Sequence, residues 1–351
     1  MSYSLEIQKL LLNSGNYFGE DRINILKQAI KLADANHDIE WGYDLRIEVM
    51  NTCMGSIKST EALPAFVWII DVCDNNPGMF DPIELLWKYR WMIDSSARSW
   101  QISLETLYAM LDDFKKRLIA EGISLRSYYG ALINIGFITE NVSIVKENME
   151  LKNKIQRDSV LDNFGNDLYD NILYKIMIKD TEGALALTHE TKSIQHLDTS
   201  FSINCSFSEY LTRIGMLDEA QPFIERAEQA FSQLEKLNYL SVCLSQLIFA
   251  LTITDVYKAW DYVILYINWI FECEDYDKLI YGLNLLPLMK KSRGQRTVIM
   301  SPKFELFRNE NCYNLEQVFD FMVTKLSDLA IKFDSRNGNS TFINLVKEYT
   351  N

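Results

Sequence analysis

Glu61-Ala62-Leu63-Pro64-Ala65-Phe66 returns as Glu219-Ala220-Gln221-Pro222-Phe223-Ile224, 158 residues further along the chain. In both stretches an acid and an alanine precede a proline and a run of apolar residues, which is how a helix begins. Fainter versions of the same start stand at Glu105-Thr106, Glu140-Asn141, Glu182-Gly183-Ala184 and Lys258-Ala259. Their second residues fall at 62, 106, 141, 183, 220 and 259, a mean step of about 39.4, and the long echo then spans four steps. A period near 40 residues, occupied by two helices per unit, is the pattern of an α-solenoid. Cys205 and Cys243, 38 residues apart, suit equivalent core positions in consecutive units.

The segments around these starts have helical periodicity. Val318, Phe319, Met322, Leu326, Leu329, Ala330 and Phe333 form one apolar stripe after an Asn314/Gln317 capping box. Asp81-Pro82-Ile83-Glu84 opens a helix that is apolar on most sides and should be sandwiched between neighbours. With 14 Gly and 6 Pro the chain has too few turn residues for an all-β fold. The spacing predicts helices over 20–36, 40–57, 59–74, 82–98, 103–121, 124–136 and 139–156. It continues with 160–178, 181–192, 199–214, 218–236, 238–253, 255–273 and 276–292, and closes with 315–334 and 341–349. Gly15-Asn16, Asn75-Asn76-Pro77-Gly78 and Asn337-Gly338-Asn339 read as loops.

The expected fold is therefore all-α, a right-handed superhelix of about seven or eight helix pairs. No low-complexity linker divides it, so residues 1–351 read as one array. Capping helices occupy 1–57, repeats 58–292, and a basic loop with further capping helices 293–351.

The formal charge is −13, from 35 Lys and Arg against 48 Asp and Glu. That balance disfavours nucleic acid, whose phosphates require a basic footprint. Eighteen Tyr, 18 Phe and 7 Trp supply ample surface to bury, which argues against disorder. Leu10-Leu11-Leu12 lacks a basic leader and a cleavage site, so no secretory signal is expected. The most apolar region, 247–271, is interrupted by Thr252, Thr254, Asp255, Lys258 and Asp261, too early for a membrane span. Six cysteines at 53, 73, 205, 243, 273 and 312 form no Cys-x-x-Cys pair and read as reduced thiols, pointing to the cytoplasm.

Ile214-Gly215-Met216-Leu217-Asp218-Glu219-Ala220, with Ala227 seven residues on, resembles the second half of a tetratricopeptide repeat. The resemblance implies closely packed helix pairs, a glycine relieving the turn between them, and a surface for binding protein partners. LLWKYRWMID at 85–94, Ser124-Leu125-Arg126 and Asp158-Ser159-Val160-Leu161-Asp162 are similar to a bacterial group of divergent tetratricopeptide proteins without an assigned activity. Some of that group carry Cys-x-x-Cys directly after the matching aspartate. Asn163 and Asn166 stand there in this chain, which removes any thiol or metal role for the pair.

No phosphate-binding glycine loop, HExxH zinc motif or GxSxG elbow occurs. His189 and His196 lie one helical repeat apart but have no cysteine beside them, and a loop pair explains them better than a metal site. Cys53, Cys73, Cys205 and Cys243 sit in apolar helical context, as packing residues do. Glu272, Glu274, Asp275 and Asp277 are followed by Lys290, Lys291, Arg293 and Arg296. The cations suit a helix C-terminus, where they offset the dipole. Alternatively, they form a docking patch on an otherwise acidic protein.

Aromatics concentrate in the first helices of pairs, at Trp87, Tyr89, Trp91, Tyr128, Tyr129, Tyr169, Tyr174 and Tyr210. Most would pack between helices. Arg90, Tyr129, Asn134, Tyr174, Tyr210 and Arg213 are the candidate polar positions of a peptide-gripping groove. The functional expectation is a non-enzymatic scaffold, adaptor or inhibitor that holds a protein or peptide, basic by charge complementarity. Neither a cofactor, a metal nor a membrane is expected, and self-association stays open. A peptide-responsive bacterial regulator of the tetratricopeptide type is the first alternative. Against it, the repeat pattern begins by residue 40 to 60, and residues 1–40 hold only Lys9, Arg22, Lys27 and Lys31 against six acids. An enzyme with an unrecognised site in the groove is the second.

Overall fold

The computed structural model describes residues 2–56, 61–157, 164–188 and 196–350. Its elements are helical apart from one small hairpin, so the fold is all-α. Two compact units emerge, Met1–Ala131 and Leu132–Asn351.

The first unit holds α1 (Tyr3–Ser14), α2 (Gly19–Ala35), α3 (Ile39–Ser56), α4 (Leu63–Asn75), α5 (Pro82–Ala97), α6 (Leu104–Ala120) and the start of α7 (Arg126–Ile138). The second continues with α8 (Val142–Asn153), α9 (Phe164–Met177), α10 (Thr181–Leu187), α11 (Leu197–Arg213), α12 (Leu217–Gln233), α13 (Ser241–Thr254) and α14 (Val256–Tyr266). A 3-10 turn over Ile267–Phe271 leads to α15 (Asp275–Lys291), a hairpin of β1 (Gln295–Thr297) and β2 (Cys312–Asn314), α16 (Leu315–Asn337) and α17 (Thr341–Thr350). In the second unit α11 packs on α9, α12 and α13, and α15 packs on α13, α16 and α17.

Short polar side chains start many of these helices by accepting a free backbone N–H. Ser103 accepts from Thr106, Asn141 from Ile144, Asp180 from Gly183 and Asp255 from Lys258. With Ala62 and Met216 in the same place, the second helix of successive pairs begins at 62, 103, 141, 180, 216 and 255.

One joint recurs just before three of these starts. Glu140, Lys179 and Gly215 all have left-handed backbone, with φ of 53°, 60° and 80°. The next N–H in each case reaches back five residues: Asn141 to Gly136, Asp180 to Lys175 and Met216 to Leu211, at 2.8 to 2.9 Å. This closure satisfies an orphan carbonyl at the helix end and reverses the chain. Only Gly215 adopts the conformation without a steric cost. At Gly136 the joint also brings α7 against α8 so closely that a Cβ would lie 2.6 Å from Val145 Cγ2.

In the first unit α4, α5 and α6 are tied by charge. Arg117 donates to both oxygens of Asp74 at 2.7 and 2.8 Å and to Asp113 at 2.7 Å, and the Tyr89 hydroxyl donates to Asp113 at 2.8 Å. The hydrogen bonds from Arg117 hold the Asp74 carboxyl below the usual carboxylate range.

The two copies of the 158-residue echo sit in different registers of their helices, since Pro64 lies in the first turn of α4 and Pro222 inside α12; the other differences among the elements are local. Helix α1 lies in the region expected to hold capping helices, ahead of 20–36, the first helix with predicted bounds. Its Ile7 is fully buried, its Tyr3 hydroxyl donates to Asp38 at 3.0 Å, and it packs on α2. The expected helix over 255–273 ends at Tyr266 and continues as the 3-10 turn. The expected basic loop contains the hairpin, in which Arg296 faces Tyr313. Strands of three residues are too short to leave a periodic signal. Asp158 to Asn163 and His189 lie outside the described residues. His196 is exposed and precedes α11. No helix among the described residues is long and apolar enough to cross a membrane.

Two outcomes follow from the joints and the charge ties. Lys179→Gly should raise unfolding stability by about 1 kcal/mol by removing left-handed strain, while Gly215→Ala should lower it by a similar amount; urea unfolding checks both. Because Asp74 is held below its ordinary pKa of 3.8, its contribution is present above that value and lost as pH falls through its lowered one. Acid unfolding followed by circular dichroism below about pH 4 should therefore be shallower in Arg117→Gln than in the parent chain.

Candidate functional site

Helices α9, α11, α13 and α15 lie side by side in the second unit, and short polar residues stand among the apolar ones that they bury. Those residues meet. The Tyr169 hydroxyl bonds Ser206 Oγ at 3.1 Å, and Ser206 Oγ donates to Gln246 Oε1 at 3.2 Å. On the next step Asn284 Nδ2 donates to Ser245 Oγ at 3.0 Å. These contacts join residues 37, 40 and 39 apart in sequence. A parallel contact runs from Cys243 Sγ to Ser202 Oγ at 3.2 Å, across 41 residues. The row thus spans four helices in two runs, Tyr169–Ser206–Gln246 and Ser245–Asn284, which start from neighbouring residues of α13. Ser206, Ser245 and Asn284 are buried, whereas Tyr169, Ser202, Glu209 and Gln246 are half-buried and offer polar atoms at the edge of the row.

Arg213 closes the row at the C-terminal end of α11. Its guanidinium pairs with Glu209 one turn earlier, donates to Asn284 Oδ1 at 2.8 Å and lies 4.1 Å from the Phe249 ring centroid. The Tyr349 ring of α17 lies 5.0 Å away. Helix α17 is held there by its start: Asp334, buried at the end of α16, accepts from the backbone of Phe342 at 3.0 Å and Ile343 at 2.9 Å. Arginine is suited to this position, since its planar group stacks on rings while its edge donates.

The other groove candidates are distributed between the units. Arg90 and Tyr129 belong to the first, where Arg90 pairs with Asp94 on the same helix and Tyr129 packs against Tyr128 with centroids 5.3 Å apart. Asn134, Tyr174, Tyr210 and Arg213 belong to the second. Tyr174 packs beside the Ile133, Val145 and Met149 cluster. Tyr210 is 9% exposed and its hydroxyl bonds Thr181 Oγ1 at 2.7 Å. Asn134 is half-buried on α7. Of the six, Arg213 joins the row. Ser206, Gln246, Ser245 and Asn284 escaped the sequence reading, although polar residues recurring near 40 inside apolar helices are a usable signal.

The basic cluster is largely engaged within the fold. Lys290 donates to the Thr350 carbonyl at 3.2 Å and Lys291 to that of Thr252 at 3.1 Å. Both sit in the last turn of α15, where they also offset the dipole. Arg296 stacks 4.0 Å from the Trp260 centroid. Arg293 lies near Glu316, whose carboxyl is lowered first by backbone hydrogen bonds and further by this cation. The acidic residues Asp275 and Asp277 occupy the first turn of α15, after Glu274 at its N-cap.

All six cysteines are free. Burial pushes the Cys205 thiol well up and that of Cys273 to about 12, so both are poor nucleophiles near neutrality. Among the described residues no group of three or more His, Cys, Asp or Glu is arranged to hold a metal ion. Compared with known proteins, the chain matches no family model and no curated protein.

Asn284→Ala should cost about 1–3 kcal/mol in urea unfolding, because it leaves the buried Ser245 hydroxyl and one Arg213 donor without their shared partner.

Proposed function

We propose that the chain is a non-catalytic binding protein, built as a right-handed, tetratricopeptide-like superhelix whose first helices line an inner face. That face holds a protein or peptide segment rich in Lys or Arg, acting as scaffold, adaptor or inhibitor. The observation that carries this reading is the polar row across α9, α11, α13 and α15, with contacts 37, 40 and 39 residues apart. The half-buried polar groups along its edge, Tyr169, Ser202, Glu209 and Gln246, suit an extended chain, whose backbone also presents donors and acceptors at regular intervals. Tyr169 and Gln246 are the groups at its open edge. The helix starts at 62, 103, 141, 180, 216 and 255 support the same repeat. The charge of −13 favours a basic partner and speeds encounter. We place this activity in the cytosol, where free thiols stay reduced.

Selection of random displayed 12-residue peptides on the whole chain tests the proposal. Enriched peptides should be rich in Lys and Arg. Their binding should weaken from about 0.01 M to about 1 M salt, as the screening length shrinks from about 30 Å to about 3 Å. It should be lost in the double variant Tyr169→Ala/Gln246→Arg, with helical content unchanged. Enrichment of acidic peptides, salt-insensitive binding, or indifference to the double variant would overturn it.

A further inference from the structure

Between α14, the 3-10 turn, α15 and α16 the second unit contains a pocket of about 280 Å³. Among its lining residues Trp260, Val263 and Leu315 are buried, whereas Lys303, Glu305 and Lys325 form an exposed rim where it opens to solvent. Phe304 fixes the outer segment, with its ring centroid 6.0 Å from Phe271, 5.6 Å from Phe321 and 5.7 Å from Tyr313.

The cations of the lining have no charge to spare. Lys325 pairs with Glu305 at 2.7 Å, Lys278 lies 4.0 Å from Asp275, and Lys303 has a partner of its own. An ion that entered would lose hydration without gaining a counter-charge.

The polar atoms of the interior are unequal. The Trp260 indole is committed, its N–H donating to Ser292 Oγ at 3.0 Å and its ring stacked 4.0 Å from the Arg296 guanidinium. Tyr313 is not. Its hydroxyl accepts from the Arg308 N–H at 3.2 Å and keeps its own proton for a further acceptor. The rest of the wall is mainly aliphatic, aromatic or thioether. One donor holds water poorly, because an ordered water needs about two to four polar partners, and so the interior favours a guest that is mostly hydrocarbon. Met289, Met300 and Met322 adapt to the shape of such a guest, and their sulfurs make favourable contacts with rings.

From this combination we infer that the pocket binds an uncharged ring compound carrying one hydrogen-bond acceptor. Its hydrocarbon occupies the apolar interior and its acceptor takes the Tyr313 O–H. A cavity of about 150 Å³ admits benzene, so one of about 280 Å³ admits a molecule of about eleven heavy atoms. The site does not depend on the peptide-binding reading, which rests on the edge of the polar row at Tyr169 and Gln246, and the failure of either leaves the other standing.

Calorimetric titration of the whole chain with four probes of one skeleton tests the inference: 1-tetralone, tetralin, the 1-aminotetralin cation and tetralin-1-carboxylate. The ketone should saturate one site per chain. Tetralin, which lacks the acceptor, should bind about fivefold more weakly, the worth of one neutral hydrogen bond. Both ions should bind at least about tenfold more weakly than the ketone. Tyr313→Phe should weaken the ketone about fivefold and tetralin less than about twofold, a difference that a merely structural role for the hydroxyl would not produce. Val318→Phe and Leu329→Phe, each with its fold checked by circular dichroism, should abolish binding of both by filling the pocket. Absence of saturable ketone binding in the unaltered protein would overturn the inference. So would an ion that binds as tightly as the ketone, equal losses of ketone and tetralin in Tyr313→Phe, or unchanged ketone binding in the folded filled variants.

Discussion

The closure at Glu140, Lys179 and Gly215 is the constraint on which the helix pairs α7/α8, α9/α10 and α11/α12 rest. A helix must leave its last carbonyls unsatisfied, and a chain that reverses within two residues has few ways to pair them. A left-handed residue followed by a five-residue back-bond does so, and Asn141 or Asp180 immediately supplies the cap of the following helix. Stop and start are thereby fused into one joint. The angle between the paired helices is then set before side-chain packing adds its part, and a close approach such as Gly136 against Val145 becomes feasible.

With the pairs set, the alternate helices α9, α11, α13 and α15 meet through faces that are mainly apolar yet include Ser206, Ser245 and Asn284. A buried polar group costs stability unless it is bonded. Here each finds its partner on the next helix, so the polar side chains act as register marks in an otherwise slippery apolar interface. Arg213 extends the principle. Its charge is compensated by Glu209, its donors by Asn284, and its faces by Phe249 and Tyr349, which ties α17 to the row.

The polar row and the apolar pocket of the second unit have contrasting physics. The buried members of the polar row bond one another, and its half-buried edge at Tyr169, Ser202, Glu209 and Gln246 is the part that suits a segment bringing its own backbone groups. The pocket between α14, the 3-10 turn, α15 and α16 is lined mainly by apolar side chains, with Lys303, Glu305 and Lys325 at its rim. Arg296 serves the second arrangement: stacked on Trp260, it steadies a wall of the cavity.

Much was legible in the chain alone because it is local. Helical periodicity, prolines in first turns, and caps such as Asp81 and Asn314 report on a few neighbouring residues, and so the succession of helices and the spacing near 40 could be read directly. Gly215 announced its joint, but Glu140 and Lys179 did not, since their identity gives no hint of left-handed backbone. What only the tertiary structure decided involves partners distant in sequence. The pairing of Ser206 with Gln246, the docking of Tyr349 on Arg213, and the cavity between α14 and α16 arise when separate helices are brought together. No window of sequence contains both halves of such a contact, and for that reason the groove residues chosen by composition fell in both units while the row itself was composed largely of serines, asparagine and glutamine.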